Sequence, residues 1–212
     1  MKRWLTKGLK AALIAVLCVG MLFSTAAAAV GYTADRQLLL DKTQQAAVPG
    51  EITYTSLYDI QQVAKSDIQA AADLNRDYGS AVFLQFNTLD GAKILGRIVV
   101  NPFLATGADR QYDFRIAVNT ESANKVQQQF EELLGKKVRV IVCGQQDYGM
   151  PIALSAKLDF TGVGTTGLSV YSYNAQTGTH KLLEQANCSV DESGYVHLQT
   201  RGEAGYLVIA GA

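Results

Sequence analysis

Histidine, serine and cysteine side chains carry most nucleophilic catalysis, so the few histidines of this chain limit its chemistry. His180 and His197 are the only histidines among the 212 residues. His197 alternates in phase with Tyr195 along an apolar stretch, which favours a surface or cross-strand role in a strand. No glycine-rich phosphate loop accompanies them. The sequence therefore predicts no catalytic residue and no cofactor.

A run of oxygen-bearing residues resembles the first half of a calcium loop. Asp73, Asn75 and Asp77 stand at loop positions one, three and five. The sixth position holds Tyr78 where the loop needs glycine, and the twelfth holds Leu84 where it needs a bidentate glutamate. We expect a polar helix-to-strand connection and no metal, with these three residues as weak candidates.

Four tyrosines in the C-terminal strands form a second weak candidate site. An exposed row of tyrosines can stack against sugar rings, but cross-strand aromatic pairs that hold a sheet together give the same pattern. The single tryptophan, Trp4, lies in the first ten residues. The pattern favours structural pairing and leaves sugar binding open. The four candidates are Tyr171, Tyr173, Tyr195 and Tyr206.

Two cysteines, Cys143 and Cys188, lie beyond the N-terminal segment. Their spacing cannot supply a zinc site, which needs clustered ligands. In an exported chain a disulfide between them is possible, because an even number of cysteines is the usual framework there. Cys143 ends an apolar stretch where a thiol packs as a small hydrophobic group, so we expect free thiols.

The N-terminal segment has the three parts of an export signal. Residues 1–10 are cationic, residues 11–23 are apolar, and residues 24–29 are small. We expect cleavage after Ala28 or Ala29, and an uncleaved membrane anchor is the alternative. The predicted organisation is therefore a signal peptide at 1–29, an N-terminal extension at 30–79 and a β-sandwich domain at 80–212.

Composition excludes several classes of protein. Charged residues make up 18% of the chain and its formal net charge is zero, which excludes long disordered tails and a strongly basic nucleic-acid binder. All four basic residues of the first ten leave with the signal, and 15 basic against 19 acidic residues remain. We expect a secreted protein with no nucleic-acid partner and no membrane contact after cleavage.

Helical spacing occurs in two places. From Ser56 to about Leu74 the apolar residues follow steps of three and four, with Ser56 and Asp59 as a capping box. A second stripe runs over residues 126–134 and stops at Gly135. These patterns predict an N-terminal amphipathic helix and one short internal helix.

The remainder of the chain alternates with a period of two. Asp90 and Gly91 form a hairpin signal, and residues 112–118 give the clearest strand with one buried face. About nine short strands separated by glycine turns, with one internal helix among them, predict a mainly β fold, an antiparallel β-sandwich.

The C-terminal third carries a resemblance. Its features are the Tyr171-x-Tyr173 strand, the Asp191-x-x-Gly194-Tyr195 hairpin and a closing apolar strand at 205–209. The chain resembles a β-rich C-terminal module of secreted and surface proteins of gut clostridia and their relatives. The resemblance implies a non-catalytic extracellular module of a Gram-positive bacterium and assigns no site residues.

Two functions of different classes remain. The favoured hypothesis is a secreted binding module that holds a protein or a carbohydrate outside the cell. The alternative is a small extracellular hydrolase with paired carboxylates, which would need two facing acids of raised pKa in a cleft.

Overall fold

Extended segments dominate the computed structural model, as the alternation of apolar residues predicts. The structure describes residues 28–212, with side chains from Asp35 onward. The helices are α1 (Ala28–Ala46), α2 (Lys65–Asp77) and α3 (Glu121–Leu134). The strands described are β1 (Ile52–Leu57), β2 (Gln62–Ala64), β3 (Ala81–Asp90), β4 (Lys93–Val100), β5 (Gln111–Asp113), β6 (Ile116–Val118), β7 (Val138–Cys143), β8 (Ile152–Lys157), β9 (Ser169–Asn174), β10 (Thr179–Leu182), β11 (Asn187–Val190), β12 (Tyr195–Thr200) and β13 (Tyr206–Ala210).

Two large sheets share one apolar core. The six-stranded sheet has the order β1-β3-β4-β8-β12-β11, and the five-stranded sheet has the order β10-β9-β13-β7-β6. Every strand pair in them is antiparallel except β1 with β3, which is parallel. Leu84, Ile98 and Leu154 of the first sheet pack in the same cluster as Ile141 and Leu207 of the second. The fold is mainly β, as predicted.

Helix α3 covers the outer face of the five-stranded sheet. Thr120 caps its start by accepting a hydrogen bond from the Ala123 amide at 3.1 Å, and Gly135 ends it with φ +65°. Phe130 packs with Val140 and Val208 in a second apolar cluster. The predicted internal helix and its glycine stop are therefore present.

The predicted helix from Ser56 to about Leu74 is wrong in its first half. Ser56 lies in β1, which pairs with β3, and α2 begins only at Lys65. Leu57 and Ile60 are buried like the helical Ile68, so residues of a strand and a loop share the same apolar spacing. Long-range pairing of β1 overrides the local pattern.

The predicted number of about nine strands is too low, because thirteen are present in residues 28–212. Three strands, β1, β2 and β11, were not predicted. The predicted strand at 112–118 is divided into β5 and β6. β5 pairs with β2, whereas β6 joins the five-stranded sheet. The chain bends between them where the Asp113 carboxylate accepts a hydrogen bond from the Arg115 amide at 3.1 Å.

From Asp35 onward, the predicted N-terminal extension is part of the folded domain and not a separate segment. The predicted signal at 1–29 lies almost wholly outside the described residues. Residues 35–212 form one compact unit, and within it the predicted extension 30–79 supplies β1 to a sheet edge and Leu39 to the core. Between residues 28 and 212, no helix has both the length and the hydropathy to cross a membrane.

Candidate functional site

The outer face of the six-stranded sheet carries polar and small side chains, with the apolar Phe83 and Val99 among them. They alternate with the core residues of β3, β4, β8 and β12, so they point away from the apolar core. His197 and Gln199 are exposed there, and Gln85 and Arg97 are half-buried. Strand register aligns these side chains in two rows, Gln85–Val99–Ala153–Gln199–Asn187 and Arg97–Ser155–His197–Ser189.

A groove of about 810 Å³ follows the central strand β8 on this face. Its floor consists of the small residues Ala153 and Ser155, while larger side chains rise from the strands on both sides. One wall carries Gln85 and Arg97, and the other carries His197 with its neighbours Tyr195 and Gln199. The depression therefore follows from a small-residue strand between two large-residue strands.

Tyr195 lies across one end of the groove. Its hydroxyl donates a hydrogen bond to the Ile94 carbonyl at 3.0 Å, which ties β12 to β4 over the intervening β8. The Lys157 ammonium lies 5.2 Å from the centre of the tyrosine ring. These contacts hold an aromatic ring and a cation at the groove end.

Asp191 and His197 form a hydrogen-bonded pair at the rim. The His197 Nε2 donates to Asp191 Oδ2 at 2.9 Å, and the Tyr195 amide donates to Asp191 Oδ1 at 2.9 Å. The hydrogen bond from His197 lowers the pKa of Asp191 below its usual value. Ser155 and Ser189 flank His197 in the register, but His197 makes its one described hydrogen bond to Asp191.

The paired carboxylates that the hydrolase alternative needs do not line this groove. Asp191 is the one acid among its described lining residues. Asp67 is the described carboxyl group with a raised pKa, and it lies in the first turn of α2. Burial raises the pKa of Asp67, against the opposing effects of Arg36 at 3.2 Å and of the Ala64 amide. These contacts indicate that Asp67 stabilises the start of α2.

The four candidate tyrosines separate into two groups. Tyr195 lines the groove, whereas Tyr171, Tyr173 and Tyr206 lie on the five-stranded sheet beneath α3. The ring centres of Tyr171 and Tyr173 are 5.9 and 5.7 Å from that of Phe130, and Tyr206 lies 6.1 Å from Tyr173. These three rings pack together, and Tyr195 alone remains a candidate for ligand contact.

The calcium-like residues lie on α2 without converging. The Asn75 side chain is fully buried and donates to the Val82 carbonyl at 3.1 Å. Asp73 pairs with Arg76 at 2.5 Å, and Asp77 is exposed. Within the described chain, no group of three or more histidine, cysteine or acidic side chains could hold a metal ion.

The two cysteines lie on different sheets and are not bonded to each other in the structure. Cys143 ends β7 and is buried, and Cys188 is half-buried on the edge strand β11 beside the groove. Burial raises the pKa of the Cys143 thiol to about 12 and that of Cys188 to about 11. Both thiols are therefore protonated and unreactive near neutral pH.

Sequence reasoning missed most of the groove residues. The polar phase of β3, β4, β8 and β12 was the available signal, but a period of two cannot show which strands become neighbours. Gln85 and Gln199 are over a hundred residues apart in the chain, yet they lie in the same cross-strand row, on β3 and β12. Neither a protein-family model nor a curated protein matches the sequence.

Proposed function

We propose that this protein is a secreted, non-catalytic binding module of a Gram-positive bacterium, and that it binds a glycan chain in the groove along β8. The observation that carries the proposal is the open outer face of the six-stranded sheet, with its small-residue floor and polar walls. The export signal and the family resemblance support a role outside the cell.

The side chains of the groove suit sugar hydroxyl groups. Gln199 and Asn187 each offer an amide that both donates and accepts hydrogen bonds. Gln85 offers its amide oxygen as an acceptor, because its nitrogen already donates to Ser56 and Asn87 at 3.3 Å each. Arg97 offers donors, and Tyr195 offers a ring edge beside Lys157. A groove of about 810 Å³ is large enough for several sugar units, given that small-ligand sites span roughly 300–1,000 Å³.

A glycan fits this surface better than a protein partner does. Protein interfaces have cores enriched in large apolar and aromatic residues. The floor here is alanine and serine, and the exposed residues above it, His197 and Gln199, are polar. Hydrogen bonding is therefore the main interaction that this surface offers.

A glycan array followed by affinity electrophoresis tests the proposal. We expect the mature protein to bind at least one polysaccharide. The double variant Gln85→Ala with Gln199→Ala should weaken binding about thirtyfold, because two lost hydrogen bonds worth roughly 1 kcal/mol each sum to about 2 kcal/mol. Gln128→Ala on α3 is the matched control, because Gln128 is exposed and belongs to the covering helix of the other sheet. Absence of binding across the array, or binding that the double variant leaves unchanged, would contradict the proposal.

A further inference from the structure

Arg97 is the least satisfied polar side chain of the groove. It lies half-buried in the wall on β4, where it pairs in register with Ser155 of β8. Its Nε atom is buried and is the one described side-chain atom of this kind that has no hydrogen-bond partner. A buried donor without an acceptor destabilises the free protein. No described hydrogen bond occupies the terminal nitrogens of the guanidinium, so these are the donors that a ligand in the groove can meet.

The charges around Arg97 leave its guanidinium uncompensated. None of the described ion pairs includes Arg97. Asp191, the groove's described acid, already accepts hydrogen bonds from His197 and from the Tyr195 amide. Lys157 adds a second cation at the Tyr195 end. Arg97 is therefore the one lysine or arginine among the groove's described lining residues, and it has no described ion-pair partner.

We infer that the ligand is an acidic glycan, and that Arg97 binds its anionic group. This inference rests on the proposed function and adds the chemical class of the ligand. A guanidinium presents a planar set of donors that matches a carboxylate or a sulfate, and Arg97 holds that set in the polar wall. The amide of Gln199 and the amide oxygen of Gln85 bind hydroxyl groups of the same glycan chain.

Matched polysaccharides test the charge of the ligand. Affinity electrophoresis uses gels that contain polygalacturonate or its methyl ester, which removes the carboxylate, and gels with dextran sulfate or dextran. We expect retardation by polygalacturonate and at least a tenfold weaker effect of the methyl ester. Retardation by dextran sulfate instead would assign the anionic group as a sulfate. Because residues 35–212 are acidic overall, nonspecific attraction to these polyanions is disfavoured.

Two variants test the role of Arg97 itself. Arg97→Gln should abolish the preference for the charged polymer, and Arg97→Lys should restore it only in part, because lysine lacks the planar fork. Lys93→Gln is the control, since it removes an exposed cation from the same strand. Equal loss in Lys93→Gln would mean nonspecific attraction and would overturn the inference.

The outcomes separate this inference from the proposal on which it rests. Equal binding of charged and uncharged polymers by the wild-type protein would refute an acidic ligand and leave a neutral glycan in place. No retardation in any gel, together with a blank array, would refute both. The comparison of each polymer with its neutral partner needs no variant, so it holds even if a substitution at Arg97 prevents folding.

Discussion

Asp113 shows how a single carboxylate fixes a bend in the chain. Both of its oxygens accept hydrogen bonds from Arg115 Nε, at 2.8 and 3.0 Å, and Gln62 adds another at 3.3 Å. The Arg115 amide also donates to it. Burial by itself would raise the pKa of Asp113, but these hydrogen bonds outweigh it and the pKa lies below the usual 3.8.

We predict a pH-dependent loss of stability in Asp113→Asn. A lowered pKa in the folded state means that the carboxylate stabilises the fold above about pH 4, and that this contribution disappears as the pH falls through the lower folded value. At pH 7 the variant should lose about 1.5–3 kcal/mol of its free energy of unfolding, the range for hydrogen bonds to charged groups.

Urea unfolding at pH 7, 4 and 2.5 measures this effect. The difference between wild type and Asp113→Asn should shrink towards the lowest pH. Glu192→Gln removes an exposed charge in the β11–β12 turn and should leave the urea midpoint unchanged. A difference that stays constant with pH would show that charge at Asp113 does not stabilise the fold.

Phe114 and Asp113 also show what alternation can predict for individual residues. The pattern predicts Phe114 on a buried face, and its side chain has no exposed area and stacks on Phe86 with ring centres 4.0 Å apart. Asp113, on the opposite phase, is expected to be exposed and to contribute little. It is instead largely buried, because Arg115 and the distant Gln62 enclose it, and a residue pattern contains no information on such partners.

At the scale of elements, the two sheets meet closely where β6 passes β4. The Ile116 amide donates to Thr88 Oγ1 at 3.0 Å, which links the five-stranded sheet to β3. Gly96 on β4 makes this approach possible. A Cβ atom added there would lie 2.8 Å from the Ser155 carbonyl oxygen and 3.0 Å from Ile116 Cδ1.

Gly96→Ala should therefore destabilise the protein by about 1–3 kcal/mol, as expected for overpacking of a core. Gly164→Ala is the matched control, because an added Cβ there would meet nothing closer than 3.6 Å. Thermal or urea unfolding of the two variants provides the measurement. Equal midpoints for Gly96→Ala and Gly164→Ala would show that the two sheets do not approach each other this closely at Gly96.

The elements that the sequence predicts correctly have strong local signals. The β3–β4 hairpin turns at Gly91, after Asp90, and α3 ends at Gly135, both with positive φ. β1 and β11 lack such signals. β1 leaves the apolar Ile52 and Tyr54 exposed on its outer face, so its pattern does not mark the buried face. β11 alternates, but it has four residues, which is too short for a clear signal. Pairing with a neighbouring strand decides their conformation.

At the scale of the whole molecule, the groove exists only after long-range pairing. The floor strand β8 lies between β4, more than fifty residues before it, and β12, about forty residues after it. Composition and periodicity predict the sandwich, because every strand needs one buried face. They cannot predict the order of strands in the sheet, and so the small-residue floor and its polar walls were not foreseeable.

The two cysteines beyond the predicted signal should be reduced. Cys143 on β7 and Cys188 on β11 belong to different sheets, and the core that separates the sheets is extensive enough to need no disulfide. We predict two free thiols in a chain that begins at Ala29 or Val30. Titration of the denatured, unreduced protein should find close to two thiols per chain, and intact mass gives the first residue.

Native reactivity adds a control that depends on the fold. With pKa values of about 11 and 12, both thiols should react slowly at pH 8, and the half-buried Cys188 should react before the buried Cys143. Cys188→Ser should remove the faster phase and Cys143→Ser the slower one. Absence of thiols after denaturation, with a mass lower by two hydrogen atoms, would establish a disulfide and require the two cysteines to lie much closer together than on separate sheets.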